Sequence, residues 1–152
     1  MKKSWLIKKR EGLYCVPGKF YIDPLYPVNS ALITHGHSDH ARPGNKKILG
    51  TLDTINIMEL RYGKNYCKYP QTIELNCPLK INNVTIEFIA AGHIIGSAQI
   101  CLQYKGEVVV ISGDYKRKKD ITCEPFEVKK CHTFITEATF GLPIFSHPDD
   151  KE

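Results

Sequence analysis

The chain has 152 residues, of which 42% are hydrophobic and 24% charged, and its formal net charge is +5. This is the size of one ordinary domain with enough apolar residues for a packed core, which excludes an intrinsically disordered chain. The mild basic excess permits a polyanionic partner without demanding one. It gathers in "MKKSWLIKKR" at the start and "DYKRKKD" at 114–120, while the tail "DDKE" is acidic.

Taken in order, "GLYCVPGKFYID" (12–23) reads as two short strands around a turn. In that turn Pro17 presets φ and Gly18 takes the positive φ of a type II turn. "SALIT" (30–34) is a short apolar strand that ends at "THGHSDHARPG", and "KKILG" (46–50) is a second strand. Residues 51–63 predict a helix: Thr51 is a natural N-cap, Leu52, Ile55 and Met58 recur at helical spacing, and Gly63 stands where a C-terminal glycine belongs. The remainder is β, in "TIEL" (72–75), "KINNVTIEFIAAG" (80–92), "AQICLQYKGEVVVISGD" (98–114) and "HTFITEATF" (132–140). Asn82-Asn83 and Lys105-Gly106 suit hairpin turns. "VVVIS" does not alternate, as expected of a strand covered on both faces. Many strands and one helix predict a layered α+β domain.

The six cysteines include no CxxC pair, so zinc-finger and thioredoxin spacings are absent. "WLI" is too short for the apolar core of a secretory signal, and no stretch approaches the ~20 apolar residues of a membrane span. These features predict a reduced, cytoplasmic protein with no membrane association.

The chemistry concentrates in H-x-H-x-D-H: His35, His37, Asp39 and His40 on the loop after a buried strand. Imidazole and carboxylate are the ligands of zinc in catalytic sites. His35 and His37 suit one metal, and Asp39 and His40, further round the loop, suit a second. There is no HExxH helix, so the common metalloprotease reading fails. His93 in "AAGHIIGSAQ" lies between Gly92 and Gly96, which suit a tight loop with close backbone approach. Asp114 follows an apolar strand and a glycine. Each of these two is an ordinary loop residue by itself, and with the first cluster each becomes a natural further ligand. Asp23, which ends a strand in "FYIDP", suits a carboxylate that orients a ligand histidine.

Together these motifs resemble the metallo-β-lactamase superfamily. "SGDYKR" and "TFITEATFGLP" resemble its nucleic-acid-processing branch, the β-CASP nucleases. "ALITHGHSDHARPG", "AGHIIGSAQI" and "FITEATFGLPIF" are similar to the bacterial DNA ligase-associated exonucleases. The resemblance spans about residues 11 to 148 and implies an αββα sandwich. It implies two Zn2+ ions, the first held by His35, His37 and His93, the second by Asp39 and His40, with Asp114 bridging. Asp39 and Asp114 would be the catalytic carboxylates. Asp23 and Glu137 match the supporting acidic residues, Glu137 being the one that opens the β-CASP region. The run Lys116, Arg117, Lys118 and Lys119 begins beside Asp114, where phosphate contact is expected. The implied activity is that of a zinc-dependent phosphodiesterase, a DNA exonuclease of repair or processing functionally linked to a DNA ligase and helicase. The alternatives are an RNA-processing nuclease, a hydrolase of thioesters or lactams, and an inactive fragment. Members of this branch continue through a β-CASP insertion to a last histidine on the second zinc. Residues 1–152 would therefore be the N-terminal portion of such a domain, with the second zinc site incomplete. His132 and His147 do not stand in the motif context of that ligand.

Overall fold

Two sheets are built from short apolar runs, and the computed structural model describes residues 4–139, 141 and 142. The first sheet opens with an antiparallel meander of β1 (Leu6–Lys9), β2 (Gly12–Cys15) and β3 (Phe20–Ile22). Onto it β4 (Ser30–Leu32), β5 (Lys47–Gly50) and β6 (Tyr69–Thr72) add in parallel. The helix α1 (Leu52–Tyr62) makes the β5-to-β6 crossover. The second sheet runs β11–β10–β9–β8–β7, comprising β7 (Leu79–Ile81), β8 (Val84–Ala90), β9 (Ala98–Tyr104), β10 (Glu107–Ile111) and β11 (Thr133–Ile135). Its pairs are antiparallel except β10 with β11.

Alternation along the strands decides which face each side chain takes. Phe20, Ile22, Leu32 and Leu49 of the first sheet meet Ile86, Phe88, Ile100 and Leu102 of the second in the main core. On the opposite face of the first sheet, Ala31 and Ile48 pack with Ile33 against Ile55 and Met58 of α1. The outer face of the second sheet, with Ile89, Cys101 and Val110 buried, is covered by an extended segment. There the Gln99 side-chain amide donates to the carbonyls of Ala90 (3.0 Å) and Glu127 (2.7 Å). The layers α, β, β of the expected sandwich are thus present, and this irregular cover stands where its second helical layer is expected. Trp5 ties the start of the chain across to the second sheet, donating from Nε1 to Glu107 at 2.9 Å and packing on Tyr104.

The helix ends where its sequence signals place it: the Thr54 N–H donates to Thr51 Oγ1, and the Gly63 N–H reaches the Glu59 carbonyl. Leu52 is nevertheless 60% exposed, because it lies off the buried face of the helix, which runs through Thr54, Ile55 and Met58. Three other expectations shift. In the loop after β2 the positive φ falls on Lys19 (58°), not Gly18, and the Lys19 N–H closes a five-residue turn on Cys15 O at 2.8 Å. The strand expected at "TIEL" is Tyr69–Thr72, drawn upstream by parallel pairing to β5. The last strand stops at Ile135, and β1 goes unanticipated because "LIKK" does not alternate. Both predicted hairpin turns form, with left-handed Asn82 (52°) and Lys105 (48°).

Thr51 also donates to the Gly96 carbonyl at 2.6 Å, so the helix cap holds the loop that carries His93. Thr51→Ala is expected to cost about 1–2 kcal/mol. Urea unfolding checks this, and an unchanged midpoint would contradict the capping role.

Candidate metal centre

The side chains singled out by the sequence gather at one end of the sandwich. The Ile33 N–H pairs with Leu49 O, and Thr34 O accepts from the Ala98 N–H (2.8 Å), so the chain entering the histidine loop is stitched to both sheets. His35 is then wholly buried. The loop turns tightly at His37, whose carbonyl accepts from the N–H groups of His40 (3.1 Å) and Ala41 (2.7 Å). His93 follows β8 on a loop whose Ser97 hydroxyl accepts from the N–H groups of His93 and Ile94. Gly92 (φ 71°) leaves no room for a side chain, because the Lys116 carbonyl and Phe126 N–H occupy that space. Asp114 emerges from β10 past Gly113.

One ligand atom each from His35, His37, His93 and Asp114 lies within 4.8 Å of the others. His37 Nδ1 stands 3.1 Å from His35 Nε2 and 3.2 Å from His93 Nε2. Asp114 Oδ2 is 3.9 Å from His35 Nε2 and 3.7 Å from His93 Nε2. The other Asp114 oxygen, Oδ1, lies 3.3 Å from His40 Nε2, which is itself 3.7 Å from Asp39 Oδ2. One carboxylate therefore faces two groups of donors.

Asp23 sets the tautomers. Its Oδ1 accepts from the Thr34 N–H (2.8 Å), and Oδ2 accepts from Thr34 Oγ1 (2.6 Å) and His40 Nδ1 (2.8 Å). A carboxylate only accepts, so the Thr34 hydroxyl spends its proton on Asp23 and must accept from His35 Nδ1, 3.0 Å away. Both His35 and His40 then carry the proton on Nδ1 and turn an Nε2 lone pair inward. A single N–H on His37 Nδ1 could satisfy only one of its two imidazole neighbours. Convergent lone pairs of this kind fit a cation, and three imidazole nitrogens with a carboxylate are a donor set suited to zinc.

Burial, then the nearby imidazole of His40, pushes His35 down to about 3. Burial also lowers His93. For His40 burial acts downward, but the hydrogen bond and charge of Asp23 outweigh it and raise the imidazole above its ordinary value. Asp39 is 70% exposed. Burial of its carboxyl acts upward, yet its own backbone N–H and the imidazoles outweigh that and hold it below the usual range.

The remaining predicted residues take other positions. Glu137 accepts from the N–H groups of Tyr115 (3.3 Å) and Thr139 (3.2 Å), bracing the loop that presents Asp114. Lys116, Arg117, Lys118 and Lys119 are all exposed, with Lys116 paired to Asp120 at 3.1 Å. Tyr115, half-buried, packs on Phe126 and Phe134. His132 accepts from the Val108 N–H at the far end of β10 from Asp114, and His147 lies outside the described residues. A cleft of about 490 Å³ is lined by Asp39, His40, Asp114, Leu13, Leu25 and Arg42. Sequence reading passes over Arg42, although it stands inside the "HARPG" motif. Its Nη1 is buried with no hydrogen-bond partner among the described residues.

Two outcomes are expected. Asp23→Asn leaves His40 and His35 without a fixed tautomer and should weaken metal binding 10- to 100-fold, as measured by competition with a chelator; unaltered affinity would show that Asp23 does not orient these rings. In the metal-free protein, His35 and His93 titrate below the unfolded value near 6.5, so the unfolded chain binds more protons as the pH drops from 6.5 towards 3. His40 acts in the opposite sense, its contribution fading as pH rises. The large lowering of His35 dominates, so the urea midpoint should fall between pH 7 and 4.5, and less steeply in His35→Asn.

No family model matches the chain. Over 150 residues, 95% of its length, it is 31% identical to a probable DNA ligase of Opitutus terrae, of which it spans 14%. It is 35% identical over 75 residues to the endoribonuclease ysh1 of Aspergillus fumigatus, a match covering 47% of this chain and 9% of that protein. With an RNase J-like protein of Methanocaldococcus jannaschii it shares 26% over 145 residues, 82% of this chain and 34% of the relative. The chain thus spans between 9% and 34% of the length of these relatives. By sequence and by its α+β two-sheet architecture, it is a relative of the metallo-β-lactamase/β-CASP nucleases.

Proposed function

We propose that the chain carries the metal-binding part of a two-zinc phosphodiesterase that cuts nucleic acid, acting on DNA as an exonuclease of repair or processing. The observation that carries this reading is the division of Asp114. Its Oδ2 faces the His35, His37 and His93 group, and its Oδ1 faces His40. His35, His37, His93 and Asp114 would hold one ion, and Asp39, His40 and the other Asp114 oxygen would hold the second with fewer donors. Bound there, such ions would lower the pKa of water towards 7 and absorb charge on phosphate oxygens.

The chain's own groups prepare that chemistry. His35 and His93 favour the neutral form, so they ligate without first losing a proton. Asp39 is held as a carboxylate on the open side of the cleft. It is positioned to accept a hydrogen bond from an attacking water and hold it in line. Glu137 keeps the Asp114 loop in place through the Tyr115 N–H. The exposed run Lys116–Lys119 begins two residues beyond Asp114 and would position the phosphate backbone without reading its sequence.

A match along 95% of the chain to a protein named as a probable DNA ligase supports DNA, and a functional link to a ligase, over RNA. The relatives named as ribonucleases support RNA as the second reading. The greater length of these relatives supports residues 1–152 as one portion of a longer protein. Among the described residues no helix is long and apolar enough to cross a membrane.

Metal analysis and parallel assays on single-stranded DNA, RNA and a thioester test this reading. The expected result is bound zinc and phosphodiester cleavage, both lost in His93→Ala with activity down by at least about 10³-fold. Thioester turnover without phosphodiester cleavage would sink the nuclease reading, and unchanged metal content in His93→Ala would sink the ligand assignment.

A further inference from the structure

The site leaves one conspicuous feature unused, the basic start of the chain. The first 22 residues hold Lys2, Lys3, Lys8, Lys9, Arg10 and Lys19 against Glu11 alone. They account for the entire formal charge of +5, and the remainder carries equal numbers of basic and acidic side chains. In the fold this charge meets aromatic rings. On β2 and β3, Tyr14 and Tyr21 are register partners, and they alternate with Cys15, Phe20 and Ile22, which enter the core. The two tyrosines therefore face outward. Helix α1 covers the same face over β4 and β5 at Ala31 and Ile48, and Tyr14 and Tyr21 lie outside that contact.

The two rings stand 4.6 Å apart, with Lys9 Nζ 3.6 Å from the Tyr14 centroid. Beside them the Arg10 guanidinium lies 5.0 Å from the ring of Tyr26, which is 48% exposed. The β1–β2 turn abuts the metal loop: the Leu25 N–H donates to Glu11 O at 2.8 Å, and Leu25 lies two residues from Asp23. Leu25, next to Tyr26, lines the cleft that also contains Asp39, His40, Arg42 and Asp114.

We propose that the outward face of the β1–β2–β3 meander, through Lys9, Arg10, Tyr14, Tyr21 and Tyr26, binds single-stranded nucleic acid where it leaves the cleft. The direction of the strand rests on the nuclease reading; the binding surface does not. Aromatic rings interleaved with cations suit a single strand, because every base offers a π-face to stack and every linkage a negative charge. Arg10 and Tyr26 stand beside the cleft wall at Leu25, and this favours nucleic acid over an anionic lipid surface, which would require no path to the cluster.

The test uses the full chain in EDTA, so that binding is read without cleavage. A fluorescent oligothymidylate of about 20 nucleotides is titrated by anisotropy at several salt concentrations. The double variant Lys9→Glu, Arg10→Glu should bind at least about tenfold more weakly, with a log–log salt slope smaller by about 1.4 for two lost phosphate contacts. Tyr14→Leu should bind about fivefold or more weakly at an unchanged slope, since it removes only stacking. Urea midpoints of both variants identify any general loss of fold. No measurable binding by the unaltered chain overturns the proposal. So does binding that the charge reversal leaves untouched, or a charge reversal that abolishes only binding to phosphatidylserine vesicles. If oligothymidylate binding responds as expected while metal-loaded protein cleaves no phosphodiester, the nuclease reading falls and this surface stands.

Discussion

The carboxylate of Asp23 is the constraint on which the site depends. It stands at the end of β3 with a left-handed backbone (φ 42°), and it accepts from Thr34 twice and from His40 once. Through the Thr34 hydroxyl it decides the tautomer of His35, and directly it decides that of His40. One half-buried carboxylate thus aligns a ring from each of the two donor groups that share Asp114. Oriented acceptors of this sort matter more in a dry interior than in water, where solvent would supply the same hydrogen bonds.

The sandwich makes that alignment possible. The site lies where β3, β4, β8 and β10 run out, and each strand delivers its functional residue within a few positions of its end. Short loops on rigid strands restrict side-chain placement far better than long ones. The main-chain bond from Ala98 to Thr34 couples the two sheets at the mouth of the site. The geometry of the donors therefore inherits the register of the sheets.

How much of this was legible in the sequence depends on whether a signal was local. The helix 52–62 was legible because its cap, stripe and terminal glycine all lie within it. The Asn82 and Lys105-Gly106 turns were legible for the same reason. Strand β6 was displaced because pairing to β5, not its own composition, sets where it begins. The histidine loop, His93 and Asp114 were each identifiable, and the sequence motifs placed them together. Their division about a bridging Asp114 was implied by the resemblance, while the oxygen that faces each group was not legible, since it depends on angles between three loops. Arg42 was missed because a single arginine in a loop carries no local sign that its guanidinium will be buried. The packing of Tyr115 on Phe126 and Phe134 was not legible either, since both rings lie too far along the chain to be weighed from its neighbours.

The close approach at Gly92 bears on how the chain tolerates change. The Lys116 N–H bonds to Ala91 O at 3.0 Å, and the Lys116 carbonyl fills the space a side chain at Gly92 would need. The basic run and the His93 loop are therefore locked together by main chain alone. Individual lysines from 116 to 119 can drift in identity at little structural cost, because none of that lock passes through their side chains. An insertion or deletion between Asp114 and Lys116 would instead drag the His93 backbone out of position. The fold in this stretch thus depends on loop length, whereas the charges of residues 116 to 119 bear on what the surface binds.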